Sequence, residues 1–317
     1  MILVTGSSGF VGGALVKVLA SNNQSPKLVV ASRRLESNLP SGVKSIMLVD
    51  DLSKTDWKLA LKGVTAVVHC AGRVHVMNDK SSNPMCDFRR INVEGTVNLA
   101  RQAAFAGVKR FIFLSSIKVN GESTKLGNPF NEESVAEPKD FYGVSKFEAE
   151  KLLREIANQT GMELVIIRPP LVYGPNVRAN FESMMYWLVR EIPLPLAAIT
   201  NNRRSLVSLG NLVDLIITCI NHPLAANQIF LVSDGEDLST AELLRRTGVA
   251  LGRPACLFYV PISLLKIGAA MTNQITIYER LCGSLQIDIN KTRQLLGWAP
   301  PISVEEGLRR TADGFLR

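Results

Sequence analysis

The sequence predicts an α/β fold: a doubly wound parallel sheet covered by helices on both faces, followed by a smaller C-terminal mixed α/β unit. Three observations predict it. The chain opens on a short apolar run, a glycine-rich turn and a helical pattern, Met1-Ile-Leu-Val-Thr-Gly6-Ser-Ser-Gly9-Phe-Val-Gly12. Short apolar runs then alternate with longer helical stretches through residue 168, the rhythm of successive βα units. From Pro169-Pro170 onward the composition changes, with further prolines at 175, 193 and 195 and helices no longer paired regularly with strands.

Residues 1–4 are a buried strand, and from Phe10 the apolar Val11, Leu15, Val18 and Leu19 fall at helical spacing. Strand, glycine turn and helix open a dinucleotide-binding βαβ unit of the Rossmann type. Gly6 permits the tight turn, Gly9 lets the backbone approach a pyrophosphate, and Gly12 lets the helix pack closely. The free N–H groups of the helix start then face phosphate, which makes Gly6, Ser8, Gly9, Phe10, Val11 and Gly12 candidate cofactor residues. The spacing is Gly-x-x-Gly-x-x-Gly, and a glycine turn alone also occurs in ordinary loops.

Residues 27–31 form the second strand, which ends in Ser32-Arg33-Arg34. NAD sites commonly place a carboxylate there for the ribose hydroxyls, whereas this cluster offers hydrogen bonds and positive charge to a 2′-phosphate. It favours NADP(H), with NAD(H) left open; two solvated arginines are the plainer alternative. Residues 45–49 are a third strand closing on Asp50-Asp51-Leu52, where Asp51 can accept from an adenine amino group or simply make a turn. Residues 64–69 are the fourth, followed by the small Cys70-Ala71-Gly72 that lets backbone skirt a cofactor. His69 reads as a satisfied core histidine, and His75 as a loop residue within reach of substrate.

Residues 88–105 carry one helical pattern containing Asn92-Val-Glu-Gly95-Thr96, and residues 110–114 a strand running into Ser115-Ser116. A polar loop leads to Tyr142-Gly-Val-Ser-Lys146, which opens a helix to about residue 159; residues 163–168 are another buried strand. Residues 1–168 thus read as the dinucleotide-binding domain. Strands at 206–209 and 229–232 are expected to rejoin its sheet. Residues 169–317 otherwise read as a substrate domain, with helices near 240–251, 262–272, 291–296 and 304–315.

With 317 residues, 46% of them hydrophobic and 20% charged, the chain is long enough for a large core and is not disordered in composition. The net charge of +8 fits an anionic ligand or an ordinary basic surface. No basic run is interleaved with aromatics, which argues against nucleic acid. The five cysteines are scattered without a Cys-x-x-Cys pair, as in reduced thiols, and no metal site is expected. No apolar run reaches the roughly 18 residues that span a bilayer, and the first strand leaves no room for a leader. A cytoplasmic protein without stable membrane insertion is the expectation.

The spacing of four places Tyr142 and Lys146 on one helix face. An ammonium there favours phenolate and is expected to lower the tyrosine pKa from its usual ~10, towards the range of proton transfer near neutral pH. Lys146 also suits the nicotinamide ribose, and a serine hydroxyl the substrate oxygen.

Taken together, the chain resembles an extended short-chain dehydrogenase/reductase of the nucleotide-sugar epimerase/dehydratase kind. The residues that carry the resemblance are the Thr5–Gly12 opening, Asp51-Leu52, His69-Cys-Ala-Gly72, Asn92-Val-Glu-Gly-Thr96, Ser115-Ser116, Tyr142-Gly-Val-Ser-Lys146 and Arg168-Pro-Pro-Leu-Val-Tyr-Gly-Pro175. It implies Ser116, Tyr142 and Lys146 as the catalytic triad, with Ser116 also touching substrate. Ser32, Arg33, Arg34, Asp51, Leu52, Cys70, Ala71, Gly72, Asn92 and Pro169 join the glycine turn in holding the cofactor. Arg204, Arg280 and Asn180 are implied for a UDP-sugar substrate, the arginines as a fork on its diphosphate. A homodimer through the helices bearing Asn92 and Tyr142 is a further implication.

Family dehydratases place Asp-Glu after the hydroxyl residue, where this chain has Ile117-Lys118, so dehydration is not expected. Nor does this loop carry the cysteine of enzymes that epimerise at C3 and C5. Two reactions remain. NADPH-dependent 4-keto reduction comes first on the strength of Ser32-Arg33-Arg34. The chain also resembles bacterial enzymes of surface-polysaccharide assembly, which implies a UDP-4-keto-6-deoxy-N-acetylhexosamine as the substrate reduced. C4 epimerisation of a UDP-hexose or UDP-N-acetylhexosamine with retained NAD is the alternative. A dehydrogenase for a neutral alcohol fits Arg203-Arg204 poorly, and a non-catalytic NAD(P) sensor fits the intact Tyr/Lys pair poorly.

Overall fold

A computed structural model describes residues 1–21, 27–32, 39–47, 51–74 and 83–316. Its strands are β1 (Ile2–Thr5), β2 (Leu28–Ser32), β3 (Val43–Met47), β4 (Ala66–His69), β5 (Arg110–Leu114), β6 (Glu163–Arg168), β7 (Leu171–Tyr173), β8 (Arg204–Ser208), β9 (Gln228–Leu231) and β10 (Asp237–Leu238). The helices are α1 (Phe10–Ser21), α2 (Lys58–Leu61), α3 (Pro84–Phe88), α4 (Gly95–Phe105), α5 (Phe141–Thr160) and α6 (Ala179–Val189). They continue with α7 (Leu209–Asn221), α8 (Thr240–Ala250), α9 (Ile262–Met271), α10 (Ile275–Cys282), α11 (Asn290–Leu296) and α12 (Val304–Leu316).

Seven strands form one sheet in the order β3-β2-β1-β4-β5-β6-β9, and every pairing in it is parallel. The doubly wound sheet is therefore present. Alternate residues feed two cores. Ile2, Val4, Val30, Val68, Ile112, Val165 and Ile167 pack with α1 and α7, while Leu3, Val29, Val67, Phe111, Phe113 and Leu164 pack with α4 and α5. Burial on both faces explains why these strands read as unbroken apolar runs. The winding reverses between β1 and β4, where Thr5 lies opposite His69. Such a switch point opens a crevice beyond the carboxyl ends of the strands.

β9 extends the sheet beside β6 as expected, with Val165 opposite Gln228. β8 does not. It lies in a separate three-stranded sheet ordered β10-β8-β7, and its Leu206 packs with Tyr173, Phe181, Leu244 and Leu308. A four-residue apolar run states that a strand exists but not which edge it finds. The single helix read over 88–105 is likewise broken, into α3, a π-helical turn over Arg89–Glu94, and α4. Its cause is long-range: the buried Asn92 amide is drawn onto the Arg73 backbone, at 2.7 Å and 3.0 Å, and onto Ser145 Oγ at 2.9 Å. Helix α10, absent from the sequence reading, has an isoleucine-threonine start that reads as strand, and none of its residues is buried.

Candidate active site

The site begins with α5. Asp140 caps it, its Oδ1 accepting from Gly143 N at 2.7 Å. Position 143 must be glycine because a Cβ there would stand 2.8 Å from the Lys118 carbonyl oxygen. The helix therefore starts hard against the turn that follows β5, and this contact brings Tyr142 to Ser116. Ser116 Oγ accepts from Lys118 N at 3.2 Å, and its hydroxyl faces the Tyr142 phenol. Lys118 pairs with Asp140 and, at 3.2 Å, with Glu122, tying the serine loop to the helix cap.

Lys146 lies one turn on, as the spacing predicts. Its Nζ donates to the Leu114 carbonyl at 2.9 Å, sits 4.5 Å from the Phe113 ring centroid and 5.9 Å from that of Tyr142. The electrostatics differ from the expectation. Burial pushes the Tyr142 pKa up, and the neighbouring Asp140 carboxylate pushes it further, while the Ser116 hydroxyl opposes both. The Lys146 ammonium does not offset them, because it turns towards the Leu114 carbonyl and the Phe113 ring. Burial lowers Lys146 itself to about 8. This protein thus holds the phenol in its protonated form, and the lysine alone does not turn it into phenolate.

The glycine turn meets these residues through one stretch of backbone. Gly6 has φ +72°, and a Cβ on it would lie 2.7 Å from Ala71 N. A Cβ on Gly72 would lie 3.1 Å from Asn92 Oδ1 and 3.3 Å from Lys146 Nζ. The turn after β1, the Cys70-Ala71-Gly72 segment after β4 and the lysine therefore line one crevice. Gly12 is needed for a contact within the turn: its Cβ would stand 2.3 Å from Gly6 O. Ser8 and Gly9 are exposed ahead of α1, whose first turn carries no acidic residue. An open helix start behind a glycine turn fits a dinucleotide pyrophosphate. Phe10 and Val11 begin that helix, half-buried.

The other expected cofactor residues are placed as follows. Ser32 ends β2, while Arg33, Arg34, Asp50 and His75 lie outside the described residues. Asp51 uses Oδ1 on its own turn, accepting from Ser53 N at 3.0 Å and Ser53 Oγ at 2.7 Å. Leu52 packs against Gly95, where a Cβ would come within 2.8 Å. The Asn92 amide, expected on the cofactor, is engaged within the protein as described above. The Pro169 carbonyl accepts from Ile117 N at 2.9 Å. His69 bridges Thr5 and Thr96 at 2.7 Å and 2.9 Å, and burial lowers it to about 3, which makes it a neutral core residue. Cys70 is a thiol that burial raises to about 12.

On the substrate side, Arg204 Nη1 donates to the Arg280 carbonyl at 2.9 Å. Burial and then the Arg280 charge lower the Arg204 pKa, so the two guanidinium groups lie close enough to repel each other. Two cations held together suit a diphosphate. Leu285, bridged to Arg204, belongs to a segment whose Ser284 and Ile287 bridge Thr124 and Phe130 in the loop after Ser116. Asn180 is exposed in the first turn of α6. Among the described residues no cluster of potential ligands forms a metal site, and no helix is long and apolar enough to cross a membrane. Sequence reasoning gives no site role to Lys118, Asp140, Glu150 or Arg168, although Arg168 stands in a motif quoted above; for Glu150 a signal is available, since it follows Lys146 by four on the same face.

The profile of the NAD dependent epimerase/dehydratase family matches residues 2–233. A UDP-glucose 4-epimerase of Vibrio cholerae is 51% identical over 317 residues, covering 100% of this chain and 95% of that one. An N-acetyl-alpha-D-glucosaminyl-diphospho-ditrans,octacis-undecaprenol 4-epimerase of Escherichia coli O157:H7 is 27% identical over 98% of this chain and 93% of its own. Among solved structures, UDP-glucuronic acid 4-epimerase from Bacillus cereus in complex with NAD superposes with a TM-score of 0.79. It does so at 19% identity over 99% of this chain and 96% of its own, a likeness of fold.

Proposed function

The chain belongs to the NAD-dependent epimerase/dehydratase family, and on that premise we propose that it is a UDP-sugar 4-epimerase that works with retained NAD. It is an enzyme of the short-chain dehydrogenase/reductase superfamily. The observation that carries the reading is the meeting of Ser116, Tyr142 and Lys146 on the crevice of the glycine turn, which is the set of groups needed to oxidise and re-form a sugar hydroxyl. Whole-length similarity to the Vibrio cholerae UDP-glucose 4-epimerase favours epimerisation over the reduction that the sequence reading put first. NADP(H), first choice on Ser32-Arg33-Arg34, gives way to NAD on the same grounds.

NAD⁺, when bound, would supply the hydride acceptor and a positive ring that favours the phenolate. Gly6, Gly9 and the start of α1 would hold its phosphates, and Lys146 its ribose. Ser116 Oγ steadies the C4 oxygen of the sugar. Tyr142 Oη takes the proton from that oxygen in one half-reaction and returns it in the other. The high intrinsic pKa suits the returning step, because a phenol that keeps its proton in the protein donates it only to a developing alkoxide. Arg204 and Arg280 hold the diphosphate, which lets the sugar turn over while the nucleotide stays anchored. Ile117-Lys118, in place of an Asp-Glu pair, leaves no acid and base for dehydration.

The test is to denature purified protein, identify the released nucleotide, and assay the native enzyme without added cofactor. The expected result is NAD⁺ in the released fraction and interconversion of UDP-glucose with UDP-galactose, or of their N-acetylamino counterparts. Nucleotide-free protein that consumes NADPH in the presence of UDP-4-keto-6-deoxy-GlcNAc would replace this reading with reduction.

A further inference from the structure

A carboxylate that the proposed chemistry does not use lies directly behind it. Glu150, on α5 one turn past Lys146, is completely buried. Its Oε1 accepts from Ser115 Oγ at 2.6 Å and Arg168 Nε at 2.9 Å; its Oε2 accepts from Arg168 Nη2 at 2.5 Å and Arg154 Nη2 at 2.9 Å. Arg168 extends the network, donating through Nη1 to Asn120 Oδ1 at 3.0 Å. One ion pair thus joins four segments: the catalytic helix, the end of β5, the end of β6 and the loop after Ser116.

Stability alone does not call for this arrangement. Taking two charges out of water is costly, and well-packed apolar residues in the same space are often as stable or more so. What the pair adds is direction. The backbone beyond β5 is already held in the plane of the sheet, with Ser115 N donating to Ile167 O at 2.8 Å and Ile117 N to Pro169 O at 2.9 Å. The Ser115 hydroxyl, drawn onto a carboxylate fixed from two sides, sets the remaining rotation of the turn that aims Ser116.

We propose that Glu150, clamped by Arg168, is a positioning residue: it anchors the Ser115-Ser116 turn against the catalytic face of α5 and sets its negative charge beside Lys146. The inference rests on the reading of Ser116, Tyr142 and Lys146 as the reacting groups. Lys146 is faced by Glu150 on its own helix, by the Cys70 thiol and the His69 imidazole from the β4 side, and by the Tyr142 phenol. Of these, Cys70 at about 12, His69 at about 3 and the raised Tyr142 are neutral at physiological pH. The ion-paired Glu150 carboxylate opposes the burial that brings Lys146 down to about 8. Loss of that carboxylate lowers the lysine pKa further, so an ammonium-dependent rate is lost at lower pH.

The experiment compares Glu150→Gln, Ser115→Ala and the double variant Glu150→Met/Arg168→Met. Glu150→Gln should lower kcat ~10²-fold, the scale of a small misplacement of reacting groups, with KM for the sugar nucleotide unchanged. It should also move the alkaline limb of the kcat profile to lower pH. Because Glu150→Gln strands the Arg168 charge, the double variant is the control for folding: it should melt near the wild type and show the same kcat loss and limb shift. Ser115→Ala should lower kcat without moving the limb. A readout free of turnover is the titration of Lys146 in protein labelled with ¹³Cε-lysine, assigned by its absence in Lys146→Met; its midpoint should fall in Glu150→Gln. A folded double variant with wild-type kcat, pH profile and Lys146 titration overturns the proposal. If the wild type epimerises no UDP-sugar, the Lys146 titration decides: a lowered midpoint upholds the role of Glu150 while the functional reading falls, and an unmoved midpoint overturns both.

Discussion

Replacing Tyr142 with Phe lowers turnover by about 10²–10⁴-fold, the usual consequence of removing a positioned acid/base, and leaves fold and cofactor retention intact. The separation of these effects comes from how the ring is held. Its packing partner is the ring of Phe88, 6.4 Å away edge-on, a contact that phenylalanine keeps. The hydroxyl faces Ser116, in a buried turn beside the core residue Ile117, so its loss costs only about 0.5–1.5 kcal/mol, the net worth of one polar contact. Turnover, the melting temperature and the amount of nucleotide released on denaturation check all three statements. Unimpaired turnover in the variant would place the proton on another group.

The second large effect is predicted for Gly12→Ala. The added Cβ would stand 2.3 Å from Gly6 O and 2.7 Å from the Gly6 carbonyl carbon, both backbone atoms that no rotamer change can move. The turn must open, which costs about 1–3 kcal/mol as overpacking generally does, and it disturbs the helix start that holds the pyrophosphate. Retained NAD should be lost even where the protein still folds. Gly268→Ala is the matched control: nothing lies within 4 Å of its Cβ position and its φ is ordinary for an L-residue. In the interior of α9 that change should be neutral or stabilising, by up to about 1 kcal/mol. Melting curves and bound-nucleotide content for both variants check the contrast.

Legibility in the sequence followed the range of the interactions. The glycine turn, the apolar runs of the strands and the Tyr142–Lys146 face depend on residues within a few positions of one another, and all three are present, with the third strand at Val43–Met47 rather than 45–49 and the fourth at Ala66–His69 rather than 64–69. β8 could not be placed, because its sheet is chosen by β7 and β10 and by the core around Tyr173, all remote in sequence. The π-helical turn at Arg89–Glu94 depends on the distant Arg73 and Ser145 meeting Asn92. The direction of the Tyr142 pKa was misread for the same reason. The ammonium four residues away is visible in the sequence, while the burial that outweighs it and the Leu114 carbonyl that turns the ammonium aside are not. The spacing puts Glu150 on the face of Lys146, but its role shows only once Arg168, Ser115 and Arg154, remote or unremarkable in the sequence, converge on it.

The central claim is that Tyr142, Lys146 and Ser116 serve a redox cycle closed within one site. Incubating the enzyme with UDP-glucose carrying deuterium at C4, without added cofactor, tests it most directly. The account predicts UDP-galactose that keeps the deuterium at C4, with no exchange into solvent. Absence of interconversion, together with stoichiometric oxidation of added NADPH by a 4-keto sugar nucleotide, would contradict it.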